Sequence, residues 1–203
     1  MRLFRPWFPA GCLYRDALFR IKTTERILFL TFDDGPDPLS TTRLLDLLRK
    51  YKIPAIFFCS GSAAEKYPEL ISLIRADGHL TGNHGYNHLN GWKTSTTTYL
   101  EDVKKASSFT SDTIFRPPYG RITIKQRRLL KFYRIIFWDV MPYDFDVSFG
   151  GEKCLKILKS KIRPGSVIVL HDKVSSCANS ILEEFILFAQ KEGYRFGMIQ
   201  DFF

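Results

Sequence analysis

Ile27-Leu28-Phe29-Leu30-Thr31-Phe32-Asp33-Asp34-Gly35-Pro36 is the stretch from which the fold can be read. Its first six residues are apolar apart from one threonine and show no polar alternation. Such a run is expected of a strand buried on both faces, in a parallel sheet covered by helices. Asp33 and Asp34 then fall where the strand ends and Gly35-Pro36 turns the chain. Adjacent like charges are costly there unless a cation or strong hydrogen bonds neutralise them. Taken alone, Asp-Asp-Gly-Pro reads as a solvated turn. At the C-terminal end of a buried strand it occupies the position of catalytic groups in barrel enzymes.

Outward from this stretch, helical and strand patterns alternate. Thr41 or Thr42 can cap a helix with Leu44, Leu45, Leu47 and Leu48 on its apolar face. Residues 54–59 (PAIFFC) read as the next strand, and 63–76 as a helix ended by Gly78. A short run at 80–82 precedes a polar loop. Helices are expected over 97–109, 125–132, 152–161 and 180–192. Ile114-Phe115 leads into a Pro-Pro turn, and strands are expected over 133–140, 166–170 and 194–199. About seven strands alternating with helices imply an α/β fold with a parallel sheet and helical crossovers. A length of 203 residues with 45% hydrophobic content fits one domain and excludes a disordered chain.

The net charge of +9 is spread along the chain. It forms no recognisable nucleic-acid module, so no nucleic-acid partner is expected. Cys12, Cys59, Cys154 and Cys177 lack the spacing of a metal site and read as reduced thiols. No stretch approaches the roughly 20 apolar residues of a spanning helix. Residues 1–24 are expected to pack on the domain of 25–203. A second reading is peripheral membrane contact through Trp7, Phe8, Leu13, Tyr14 and Phe19, interleaved with arginines. With no convincing signal peptide, a location in the cytoplasm or peripheral to an inner membrane is expected.

Four more segments carry chemistry-bearing residues. His84-Gly85-Tyr86-Asn87-His88 places two imidazoles at i and i+4, which on a helical turn would face one divalent ion. With an Asp from elsewhere they make a two-His, one-carboxylate set. Phe115-Arg116-Pro117-Pro118-Tyr119-Gly120 offers an arginine for a carboxylate and a rigid turn whose amides can donate to an oxyanion. Trp138 to Asp146 follows another strand and includes Asp144. Ile168-Val169-Leu170-His171 ends a buried strand in a candidate acid or base, which a carboxylate such as Asp144 could hold. Each of these alone reads as a turn, a surface histidine pair or a structural histidine.

Together and in this order, TFDDGP, H-x-x-x-H, RPPYG, the Asp144-Phe145 pair and the strand-end Leu-His resemble the polysaccharide deacetylases of carbohydrate esterase family 4, the NodB homology domain. The resemblance runs from Ile27 to Ile199. It implies a distorted, incomplete (β/α) barrel. It also implies a divalent metal, zinc or alternatively cobalt, on Asp34, His84 and His88. Asp33 becomes the base that activates water at the metal, and Arg116 its holder. The Tyr119 amide becomes an oxyanion donor, His171 the acid and Asp144 its partner. Phe145 and Val169 are expected to line an acetyl-methyl pocket.

Three departures stand out. Gly85 replaces a Ser or Thr, which implies a less rigid metal loop; Met141 stands where an Asp is usual; Phe145 replaces a Trp. The implied activity is metal-dependent removal of acetyl groups from a sugar, N-acetylglucosamine units of an oligo- or polysaccharide first, by a monomer. The alternatives are a non-catalytic carbohydrate-binding domain on the same fold and an O-deacetylase of acetylxylan.

Overall fold

The computed structural model describes Phe4, Arg5, Tyr14 and residues 16–202. Seven strands, all paired in parallel, form one sheet: β1 (Ile27–Asp33), β2 (Ala55–Cys59), β3 (Leu80–Asn83), β4 (Ile114–Phe115), β5 (Arg134–Ile135), β6 (Val167–His171) and β7 (Arg195–Phe196). Their order is β5-β4-β3-β2-β1-β6, with β7 beside the start of β1. Single bridges join the two edges, Val140 to Ile168, Leu18 to Ile136 and Arg20 to Ser166. The sheet therefore curls into an incomplete barrel, the α/β architecture expected.

Alternation along β1 divides the core. Leu28, Leu30 and Phe32 pack outward on Leu44, Leu45 and Leu48 of α1 (Pro38–Tyr51). Ile27 and Phe29 point inward to Ile56, Phe58, Ile136 and Val167. Asp33 continues the inward set, whereas Asp34 follows the strand end in a left-handed conformation with φ 77°, so two neighbouring carboxylates reach the same cleft by different routes. The remaining helices are α2 (Gly61–Lys66), α3 (Pro68–Ala76), α4 (Thr96–Ser107), α5 (Ile124–Leu129), α6 (Gly151–Lys161) and α7 (Ala178–Lys191).

Several expected boundaries move, each for a local reason. The cap of α1 is Asp37, whose side chain accepts from Leu39 and Ser40 amides at 3.0 and 2.9 Å; Thr41 is drawn off to Asp172 at 2.6 Å. The helix expected over 63–76 breaks at Tyr67, because Pro68 has no N–H and opens a new first turn. Only Arg134–Ile135 of the strand expected over 133–140 forms. The carbonyls of Ile136 and Phe137 instead accept from Arg116 at 3.0 and 2.8 Å.

Trp7, Phe8, Leu13 and Cys12 lie outside the described residues. Phe19 stacks on Phe137 at 4.7 Å and Tyr14 lies 5.6 Å from the same ring. Those two aromatics therefore pack on the domain. No helix among the described residues is long and apolar enough to cross a membrane.

Candidate active site

The C-terminal strand ends gather the site. Asp33 and His171 occupy paired positions on β1 and β6. Asn83 ends β3, and its side chain accepts from the Gly85 amide at 2.8 Å while donating to the Val103 carbonyl at 2.9 Å. The 84–88 segment is a loop and not the helical turn expected. Gly85 and His88 take φ of 71° and 55°, and this reversal, with no helical pitch, brings the imidazole centroids within 4.9 Å.

One ligand atom from each of Asp34, His84 and His88 lies within 4.8 Å of the other two. Asp34 Oδ1 is 3.0 Å from His88 Nε2 and 3.4 Å from His84 Nε2, yet it is buried without an aligned hydrogen bond. An orphaned carboxylate oxygen between two imidazole nitrogens fits a divalent cation. His84 Nδ1 meets the Arg116 carbonyl at 2.7 Å, so Nδ1 carries the proton and Nε2 keeps its lone pair for a metal. Burial works against an ionised Asp34. Contact with His84 and His88 outweighs it and holds the carboxyl well below the usual carboxylate range.

Arg116 is completely buried and spans three strand ends. It donates to Asp33 at 2.6 Å and to Thr31 Oγ1 at 2.7 Å, besides the two carbonyls named above. This fixes the Asp33 carboxylate at the cleft floor. Asp144 takes His171 from two sides, accepting from its amide at 2.7 Å and lying 3.0 Å from Nδ1. Burial lowers the His171 pKa, but Asp144 foremost, then Asp33 and Asp34, raise it above the usual imidazole value.

A cleft of about 560 Å³ exposes Asp33, Asp34, His84, His88 and His171 together. Tyr119 is 58% exposed at its rim, in a left-handed conformation with φ 59° and its ring 4.5 Å from His88. Phe145 sits edge-on to His171 at 4.6 Å and lines the cleft. Val169 does not line it. At 1% exposed in the middle of β6 it lies within the sheet, so the expected contact with an acetyl methyl has no geometric support. A larger cavity, about 700 Å³ around Arg75, His79 and Thr81, opens at the opposite strand ends, away from these groups.

Other residues were not legible as functional. Asp102 of α4 accepts from the Tyr86 and Asn87 amides at 2.8 and 3.0 Å, bracing the 84–88 loop that Gly85 was expected to loosen. A Cβ at position 85 would stand 2.9 Å from the Asp102 carboxylate, so glycine lets this brace approach. Lys173 pairs with Asp34 Oδ2 at 2.9 Å. Asp172 is 1% exposed, with Oδ1 unpartnered, and burial pushes its carboxyl up to about 7 against the hydrogen bonds from Thr41 and Ser40. No spacing rule joins Asp102 or Lys173 to the motifs; only the His-Asp adjacency hinted at Asp172.

Residues 20–135 match the model of the polysaccharide deacetylase family. The chain is 29% identical over 194 residues to a peptidoglycan-N-acetylglucosamine deacetylase of Bacillus cereus, covering 90% of this chain and 91% of that one. It is also 29% identical over 199 residues to PdaA of Bacillus subtilis, a peptidoglycan-N-acetylmuramic acid deacetylase, covering 92% and 74%. The crystal structure of the Bc1960 peptidoglycan N-acetylglucosamine deacetylase superposes with a TM-score of 0.89 at 27% identity over 97% of each chain. The chain belongs to the polysaccharide deacetylase family. By class it is a hydrolase that removes acetyl groups from acetylated sugars.

Proposed function

We propose that this deacetylase hydrolyses the acetamide of an N-acetylated amino sugar within an oligo- or polysaccharide, with zinc, or cobalt in its place, on Asp34, His84 and His88. The observation that carries this reading is the orphaned Asp34 oxygen between two imidazoles, with Asp33 and His171 opening into the same cleft. A divalent ion there would polarise the acetyl carbonyl and make a bound water more acidic.

Asp33, held by Arg116, accepts the proton of the attacking water. The carbonyl oxygen gains charge as the carbon becomes tetrahedral, and the Tyr119 amide is assigned to donate to it. His171 then gives its Nε2 proton to the amine as the C–N bond breaks, leaving acetate and a free amino sugar. Asp144 at Nδ1 keeps that ring charged and oriented.

The test is acetate release from acetylated chito-oligomers and peptidoglycan fragments. Activity should vanish on chelation and return with zinc or cobalt. Asp33→Asn should lose turnover while retaining metal, and His84→Ala should lose metal. Near-normal turnover in Asp33→Asn would remove that residue as the base.

A further inference from the structure

We propose that Arg121, resting on Trp92 at the cleft edge, binds an anionic group on the substrate, so that the enzyme prefers an acetylated amino sugar bearing a carboxylate or phosphate over a neutral one. This rests on the deacetylase reading above.

Every carboxylate at the catalytic centre is already engaged. Asp33 holds Arg116 at 2.6 Å, Asp34 faces Lys173 at 2.9 Å and the two imidazoles, and Asp144 holds His171 at 3.0 Å. Arg121 lines the same cleft and forms no ion pair among the described residues. Its guanidinium carbon stands 5.2 Å from the centroid of the Trp92 ring. A guanidinium supported on an aromatic ring keeps its donor edge free and loses little entropy on bonding a carboxylate or phosphate with two hydrogen bonds.

The support is rigid. Trp92 is 62% exposed, yet its Nε1 donates to the Ile122 carbonyl at 3.2 Å. The Gly91 amide donates to the Arg121 carbonyl at 3.2 Å. Gln126 ties both loops together, donating to the Gly91 and Thr94 carbonyls at 3.0 and 3.3 Å. Tyr119, two residues before Arg121, lines the same cleft with its ring 4.5 Å from His88. The anionic group would therefore lie just beyond the sugar atoms that carry the scissile acetamide. A divalent ion on Asp34 adds positive charge and deepens the cleft's preference for an anion.

The experiment compares kcat/KM for acetate release by the metal-reconstituted enzyme on three substrates. These are a neutral chito-oligomer, a glycan containing N-acetylmuramic acid (carboxylate) and an oligomer bearing N-acetylglucosamine phosphate. The arm that exceeds the neutral substrate identifies the source of the charge. Arg121→Gln should cut the charged-to-neutral ratio by about tenfold or more, the scale of one charge-assisted hydrogen bond, mostly through KM. Arg121→Lys should retain part of the ratio, and added salt should narrow it. Equal kcat/KM on all three substrates, or a ratio unmoved by Arg121→Gln, overturns the inference and leaves the deacetylase reading standing. Quenching of tryptophan fluorescence by the charged sugar is read in parallel. If no sugar releases acetate, yet the charged sugar quenches wild type and not Arg121→Gln, the catalytic reading falls and the anion site stands.

Discussion

Asp172→Asn should change stability with a sign that depends on pH. The carboxyl titrates near 3.8 in the unfolded chain and is pushed up to about 7 by burial in the native one. Between those values the native state holds a proton that the unfolded state has released. Stability from this group is therefore complete below the lower value and is lost as pH rises to the upper one. The ionised native form costs roughly 4 kcal/mol, three units at about 1.36 each. Asparagine cannot ionise. It can still accept from Thr41, but its amide N–H₂ replaces the unpartnered Oδ1, at a cost of about 1–3 kcal/mol. Between pH 5 and pH 8 the variant should therefore gain about 2–3 kcal/mol on the wild type. It should be the less stable or equal protein at pH 5 and the more stable one at pH 8. Urea unfolding of both metal-free proteins at the two pH values measures this, since every other group is common to both. A difference that stays constant from pH 5 to pH 8 would refute the assignment of a protonated Asp172.

Other perturbations have equally defined outcomes. Arg116→Met leaves Asp33 buried without its partner and frees two carbonyls; a loss of about 3–5 kcal/mol in urea unfolding is expected, and retention of wild-type stability would contradict the bridging role. Asp144→Asn removes the charge that raises the His171 pKa, so the alkaline limb of the kcat/KM profile should move to lower pH; an unmoved limb would detach that limb from His171. Gly35→Ala would place a Cβ 2.2 Å from Asp172 Oδ2. Its thermal midpoint should fall, and it should recover in part in Gly35→Ala combined with Asp172→Ala, which leaves only the Asp172 Cβ, at 2.9 Å.

The sheet was legible because β1, β2 and β6 are continuous apolar runs, and burial on both faces leaves that signature in the sequence. The short β5 was overestimated: residues 136–140 look like strand, but Arg116 claims the carbonyls of Ile136 and Phe137, and a side chain arriving from 20 residues away leaves no local trace. Asp33, Asp34, His84, His88, Arg116, Asp144 and His171 were singled out through ordered motifs, and the structure brings them together. The loop geometry of 84–88 was not found, because its Tyr86 and Asn87 amides are held by Asp102, a side chain 15 or 16 residues away. Lys173 and Asp172 follow His171 directly, yet one reaches the cleft and the other is buried beneath Gly35, a division that only the packing of α1 decides.

The Arg116 guanidinium joins the chemistry of this protein to its architecture. The group that holds the Asp33 carboxylate also fastens β1 to the stretch where the barrel seam is drawn together. Losing Asp33 alone would strand a cation in the interior, and losing Arg116 alone would strand an anion. Drift at this pair therefore has to change both partners.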